Sequence, residues 1–412
     1  MPLRLERTLM ATTQEILKVG IVGLGFGSTE FIPTLERLPQ IKLVGGADLR
    51  PQARESFKAR FGGNVYESVR ELCADPEVEA VWISTPNQFH AEHAIIAAEH
   101  GKHMVVRKPL GISMEECKRV LEAVERKGVK LLAGGQTQGT SPLVLRLRQL
   151  VTSGELGRLR AIQLLAYTGW MMRPRMPQEV DDSLGGGVVW RQAPHQLEVV
   201  RTIGGGMVRS VRAMTGRWRP ERPSGTGHYA AFLEFEDGTP ATLTYNGYGF
   251  FDSVELTTWG ADKGREQREK FRKALLNKEV DEEAGKESTR FGTKGERIVV
   301  VGGREGRPWL PGNLGLFIVS FDEGDVRMSP KGLFLYGVDG VREIEVKQPG
   351  GEGMSLDTEV MELYNAVKHE EPLFHDGHWG MATAEVQWAI LESARQRSEI
   401  LLKHQVSVPQ GY

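Results

Sequence analysis

The chain has 412 residues, 40% of them hydrophobic, and its 52 Lys+Arg against 54 Asp+Glu leave a formal net charge of -2. This length predicts two or three domains with ample material for their cores, and the balanced charge argues against a dedicated nucleic-acid binder. No apolar run approaches the ~18 residues of a membrane span, and the two cysteines, Cys73 and Cys117, exclude a disulfide framework and lack metal-type spacing. A reducing, cytoplasmic setting is the simplest expectation.

Residues 1–17 read as an N-terminal tail, because MPLRLERTLMATTQ is basic without the apolar segment of a secretory signal. From Lys18 the chain alternates strand and helix. Strands are predicted at Lys18–Gly23, Ile41–Ala47, Ala80–Ser84, His103–Val106 and Lys130–Ala133, with helices at Phe31–Leu38, Pro51–Phe61, His90–His100 and Ser113–Lys127. Such alternation with short connections means parallel βαβ units with helices on both faces of a sheet.

The pattern changes after about 140. A helix at Pro142–Ser153 precedes strands at Leu159–Thr168 and Val208–Arg219 and a hairpin of Tyr229–Phe235 with Ala241–Tyr248, turned at Asp237-Gly238. Residues 261–297 are dense in Lys, Arg, Glu and Asp and read as a solvated helical excursion or mobile insertion. A β-rich stretch to Val346 and helices at Met354–His369 and Gly380–Lys403 complete the chain. The expected fold is α/β, with a doubly wound parallel sheet over 18–140 and an α+β domain with a large, mostly antiparallel sheet over 141–412.

Gly23-Leu24-Gly25-Phe26-Gly27-Ser28 lies between the first strand and a helix. That is the setting of the dinucleotide-binding glycine loop of a Rossmann domain, with Gly23 for a tight turn and Gly25 for close approach of a diphosphate. Ser28 occupies the third fingerprint position and Gly27 stands one residue early. Asp48, at the end of the second strand, suits a ribose hydroxyl and favours NAD; Arg50 keeps NADP open.

Three further segments resemble the Gfo/Idh/MocA oxidoreductases: Thr85-Pro86-Asn87-Gln88-Phe89-His90, Arg107-Lys108-Pro109, and Gly185-Gly186-Gly187 followed by His195. The resemblance spans about Lys18–Lys403. It implies a two-domain NAD(P)-dependent enzyme, with Thr85, Pro86, Asn87, His90, Arg107, Lys108 and Pro109 on the cofactor side. The segments Tyr167–Pro177, Gly186–Gly205, Thr244–Ser253 and His375–Gly380 are similar to those of dehydrogenases of the phthalate 4,5-cis-dihydrodiol type. Those enzymes oxidise a carboxylated arene cis-dihydrodiol to a catechol. Two positions depart from the family pattern: Arg107 replaces its glutamate, and Arg191 stands where sugar-oxidising members often carry an aspartate.

Oxidising a carbinol requires a base and a group that stabilises the developing oxyanion. The resemblance assigns Lys108 and His195 to these roles and leaves open which is the base. Arg173, Arg175 and Arg191 suit bidentate binding of a substrate carboxylate, or else pair with Glu179, Asp181 or Asp182. Tyr167, Trp170, Trp190 and Tyr245 offer flat walls for a ring or serve as core.

No metal is expected: His90 and His93 lack a third ligand, and His375-Asp376-Gly377-His378 reads as a turn and helix cap. Cys117 reads as inert packing. The alternatives are a sugar, sugar-acid or inositol dehydrogenase, a reductase acting on a substituted aromatic ring, and a catalytically silent nucleotide sensor. The expected partners are a small-molecule carboxylate derived from an aromatic ring and further copies of the chain, as a homodimer or homotetramer; neither nucleic acid nor membrane is expected.

Overall fold

The computed structural model describes residues 15–135, 138–260, 262–297, 307–348 and 355–410. Most of the N-terminal tail and the start of the helix expected at Met354 lie outside these residues.

The first domain is a six-stranded parallel sheet. Its strands are β1 (Leu17–Val22), β2 (Ile41–Ala47), β3 (Asn64–Tyr66), β4 (Ala80–Ile83), β5 (His103–Arg107) and β6 (Leu131–Gly134). Their spatial order, β3-β2-β1-β4-β5-β6, reverses between β1 and β4. The carboxyl ends of those two strands frame the crevice in which such sheets bind ligands. Apolar clusters cover both sheet faces, one built on Leu72, Val81 and Val106 and the other on Ile21, Trp82 and Leu363. β3 escaped the sequence reading because it is three residues long and none of its side chains is buried.

The second domain is a nine-stranded mixed sheet. It comprises β7 (Leu159–Tyr167), β8 (Val208–Gly216), β9 (His228–Phe235), β10 (Pro240–Asn246), β11 (Leu316–Phe321), β12 (Gly324–Met328), β13 (Gly332–Gly337), β14 (Gly340–Glu345) and β15 (Ile400–Leu401). The order is β14-β13-β12-β11-β7-β10-β9-β8-β15. Every pairing is antiparallel except β7 with β10. The alternation along β7, β9 and β10 buries one face of the sheet, and that face meets the helices Pro142–Ser153 and Ala193–Gly204 in the largest core.

The last helix, Gly377–Gln396, joins the domains. Asp376 caps its N-terminus by accepting from the Trp379 amide at 2.8 Å, as the turn-and-cap reading expects. A Cβ at Gly380 would stand 2.5 Å from Ala133 Cβ, so a glycine is what lets the helix lie against β6. The helix stops at Gln396, short of the expected Lys403, and β15 follows.

The charged stretch is a strap, not a free excursion. Residues 262–297 carry helices Arg265–Leu276 and Glu282–Glu287 and are fastened to both domains. On the second domain, Leu275 enters the core, and Glu282 accepts from the Arg175 amide at 2.9 Å and from Arg222. On the first, Phe291 is 1% exposed and stacks against Phe61, while Gln52 Nε2 donates to Gly292 O at 2.9 Å. Two apolar side chains and a handful of ion pairs therefore hold down a segment whose composition alone suggests solvation.

Candidate active site

The glycine loop leaves β1 with Gly23 at φ 89, where a side chain would be strained and its Cβ would stand 2.9 Å from Thr85 Cγ2. A Cβ at Gly25 meets nothing within 4 Å. The amides of Gly25, Phe26 and Gly27 have no acceptor among the described residues. Open space beside unsatisfied donors fits a dinucleotide diphosphate. The loop runs into a 3₁₀ turn, Ser28–Glu30, before the helix Ile32–Arg37, which is shorter than the sequence suggests. Ser28 is buried and donates to Gly25 O at 2.7 Å, closing the loop on itself. Asp48 accepts from the Leu24 amide at 2.8 Å and from the Arg50 amide at 2.9 Å. The Arg50 guanidinium folds back onto the same carboxylate, 3.1 Å away, and onto Leu24 O.

Pro86 leads into a 3₁₀ turn at Asn87–Phe89. Asn87 faces the second domain: its Nδ2 donates to Gly185 O at 2.6 Å and its Oδ1 accepts from Arg191 at 3.4 Å. His90 is buried between two carbonyls, its Nε2 2.8 Å from Thr85 O and its Nδ1 2.8 Å from Pro109 O. Burial pushes the ring down to about 4 against those carbonyls, so the ring is neutral and donates to only one of them. Thr85 Oγ1 lies 3.0 Å from His93 Nδ1. Among the described residues no group of three or more His, Cys, Asp or Glu side chains is arranged to hold a metal.

Lys108 leaves the end of β5 and enters the cleft. Its Nζ donates to Arg191 O, the carbonyl of the residue that ends helix Gly187–Arg191. Burial, then Arg191, then Arg107 push the Lys108 ammonium down to about 7. Arg107 itself turns to Glu30, 2.8 Å away. His195, on the helix Ala193–Gly204, is held well below its ordinary value by burial and by Lys108 and Arg107, so its ring is neutral. Its Nδ1 is buried without a protein partner. A lysine that titrates near neutrality and a neutral histidine with an unused ring nitrogen can together receive and relay a proton.

Sequence reasoning missed the support of this pair. Gln192 Nε2 donates to Arg191 O at 3.1 Å, joining Lys108 on that carbonyl. Gln192 Oε1 in turn accepts from the Tyr245 hydroxyl at 3.2 Å. Tyr245 is 0% exposed, which removes it from the open wall foreseen for it and makes it core support. Trp190 and Trp170 are also buried, at 4% and 5%, while Tyr167 is half-buried and stacks on Phe251.

Glu179 was read only as a competitor for the arginines, yet it organises them. Arg191 lies 3.2 Å from its carboxylate, Arg175 3.6 Å and Lys286 of the strap 3.3 Å. Burial opposes the Glu179 charge, and Arg191, Arg175 and Lys286 outweigh it, holding the carboxylate at about 2. Arg175 is further packed over the Trp170 ring, 3.9 Å from its centroid, and donates to Trp170 O at 3.0 and 3.1 Å. Two of the three arginines expected to face a substrate are therefore already paired. The Arg173 guanidinium has no hydrogen-bond or ion-pair partner among the described residues, and it is close enough to Tyr245 and Asp252 to bear on their charge.

A parallel sheet with a dinucleotide loop at its switch point, a lysine at the end of its β5 and a histidine facing it from the second domain define a nicotinamide-dependent oxidoreductase. Residues 17–134 match the model of the oxidoreductase family with an NAD-binding Rossmann fold, and residues 144–260 match the GFO/IDH/MocA C-terminal domain. A 1-carboxy-3-chloro-3,4-dihydroxycyclohexa-1,5-diene dehydrogenase of Comamonas testosteroni is 34% identical over 397 residues, covering 92% of this chain and 95% of that protein. A crystal structure of a protein from Bordetella bronchiseptica RB50 superposes with a TM-score of 0.82 at 35% identity, covering 94% of this chain and all of that one. A levoglucosan dehydrogenase in complex with NADH and levoglucosan shares the fold, with a TM-score of 0.70 at 20% identity over 96% of this chain and 100% of its own. The chain belongs to the Gfo/Idh/MocA family and is an NAD-dependent oxidoreductase.

Proposed function

We propose that the enzyme oxidises an arene cis-dihydrodiol bearing a single carboxylate to the corresponding catechol. The observation that carries this reading is the state of the three arginines: Glu179 engages Arg175 and Arg191, which leaves Arg173 to receive an anion. One available guanidinium suits one carboxylate better than the two of a phthalate-type ring. The dehydrogenase from Comamonas testosteroni, by its name, acts on a ring with one carboxyl group and two hydroxyls, which supports the same choice.

In this reading NAD, when bound, would supply the hydride acceptor for the carbinol carbon. Asp48 and the free amides of Gly25, Phe26 and Gly27 would hold the dinucleotide. Lys108, neutral in part near pH 7, takes the hydroxyl proton, and His195 Nδ1 orients the substrate oxygen or passes the proton on. Loss of one hydride and one proton leaves a hydroxy-enone, which tautomerises to the aromatic catechol and drives the reaction forward. Arg191 contributes its backbone carbonyl, which aims the Lys108 Nζ.

The reading extends to a cytoplasmic homo-oligomer. Supporting it, Cys73 and Cys117 are free, buried thiols, and the outer face of the nine-stranded sheet is partly apolar. Among the described residues no helix is long and apolar enough to cross a membrane.

The test is NADH formation with monocarboxylated and dicarboxylated cis-dihydrodiols, sugars, sugar acids and inositols. Preferential turnover of the monocarboxylated diol is expected, with Arg173→Ala raising KM for it at least tenfold and leaving uncarboxylated diols unaffected. Turnover confined to sugars or sugar acids would overturn the substrate class. An equal effect of Arg173→Ala on charged and neutral diols would overturn the anchoring role.

A further inference from the structure

The strap crosses the cleft at the glycine loop. Lys286 Nζ lies 4.2 Å from the centroid of the Phe26 ring, and Arg297 Cζ lies 4.9 Å from it. Phe26 stands between Gly25 and Gly27, so these two cations lie against the side chain at the middle of the loop. Arg50 lies on Asp48 and Arg107 on Glu30, while Lys286 pairs with Glu179 at 3.3 Å and Arg297 with Glu30 at 3.7 Å.

Glu179 is shared by Arg175, Arg191 and Lys286, and Glu30 by Arg107 and Arg297. Three cations thus share Glu179 and two share Glu30, with Glu359 as a further carboxylate beside Arg107. A cation over an aromatic face keeps its charge available while the ring fixes its place.

We propose that Lys286 and Arg297, both from the strap of the second domain, contact the diphosphate of the bound dinucleotide and close the strap over it. The inference rests on the NAD site at the glycine loop. Cofactor binding then requires both domains: the first supplies the amides, the second the cations. Phe291 and the Gln52–Gly292 hydrogen bond fix the strap between the two cations, with the Lys286 side chain largely buried and the Arg297 side chain half-exposed.

The experiment is NADH binding by the whole chain, followed by fluorescence at low and high salt, for the wild type, Lys286→Ala, Arg297→Ala, the double variant and Lys286→Arg. Inorganic pyrophosphate without nucleotide serves as a second probe, read by its effect on thermal unfolding. The double variant should weaken NADH binding on the order of tenfold at low salt, with the difference shrinking at high salt. It should lose the stabilisation by pyrophosphate, and Lys286→Arg should stay near the wild type. The variants leave the Phe291 anchor intact, and an unchanged near-UV dichroism spectrum verifies folding. NADH binding equal to the wild type overturns the proposal. So does a loss that is the same at both salt concentrations with the pyrophosphate effect retained, because that describes a loosened strap without a phosphate contact. Failure of the wild type to bind NADH would instead overturn the site on which the inference rests.

Discussion

The Lys108 ammonium gives up its hydration on folding and gains the Arg191 carbonyl, with two arginines nearby. Its fall from 10.5 to about 7 means that the folded protein tolerates the charged form poorly. Between those values the unfolded chain binds more protons than the folded one, so this residue makes stability rise with pH across that window. The cost of the charge at neutral pH is about 4 kcal/mol. Lys108→Met should therefore raise the thermal midpoint at neutral pH, with a gain that fades towards pH ~10, while abolishing turnover and sparing NADH binding. A Met variant less stable than the wild type at every pH would show that Lys108 is not strained in this way. For the wild type, diol oxidation should rise with pH through about 7, as Lys108 becomes neutral and able to accept the proton. A flat profile across that range would remove Lys108 as the base. Behind it, Gln192→Leu deletes one of the two donors to Arg191 O. We expect kcat to fall about tenfold, with KM for NAD unchanged and the pH profile displaced. A change in KM alone would assign Gln192 a merely structural part. Lys108 and His195 were legible because each belongs to a short motif with a fixed neighbour. Glu179 was legible as a partner of the arginines, whereas the link from Gln192 to Tyr245, 53 residues away, was not, since only the fold brings them together.

At the scale of elements, the strap is where composition misleads most. Residues 262–297 carry charges at nearly every turn, and periodicity gives no apolar stripe, because only Leu275 and Phe291 are deeply buried among its apolar residues. Their partners, the second-domain core and the Phe57–Phe61 face of helix Pro51–Phe61, belong to other parts of the chain. By contrast, the helices Pro51–Phe61 and Pro142–Ser153 were legible to the residue, since each has a proline at its first turn and a glycine in the left-handed conformation just past its end. Phe291→Ala leaves a cavity against Phe61 and should cost the strap about 3 kcal/mol of local anchoring. Limited proteolysis within 262–297 should then accelerate well ahead of global unfolding, and NADH should slow it. Unchanged cleavage would mean that the ion pairs Arg60–Glu296 and Arg222–Glu282 hold the segment without the ring.

At the scale of the whole molecule, the sheet of the second domain has one face covered by helices and, among the described residues, one without them. Register places Phe232, Thr242, Gln163 and Ile318 side by side across β9, β10, β7 and β11 on the outer face. The adjacent row runs Met214, Ala230, Thr244, Leu165 and Leu316. Met214 is 70% exposed and Phe232 47%, with Ile318 and Leu165 also exposed. The small residues Ala230, Thr242 and Thr244 between them leave a flat floor, onto which a second copy of the same face can pack with its larger side chains interdigitated. The alternation in β7, β9 and β10 made the two faces readable from the sequence. Which face stays open was not readable, because helices from distant parts of the chain decide it. A symmetric contact of this kind buries Phe232 and Ile318 twice, so one substitution acts on both halves of the interface. Phe232→Glu combined with Ile318→Glu places four carboxylates in an assembled dimer, where desolvation and like-charge repulsion oppose association by several kcal/mol. In the monomer both side chains face water, so folding and NADH binding are unaffected. Sedimentation should show the wild type as a dimer or tetramer and the double variant reduced to a smaller species of the same dichroism spectrum. A wild type that sediments as a monomer at assay concentrations, or a double variant that assembles as before, would exclude this face as the interface.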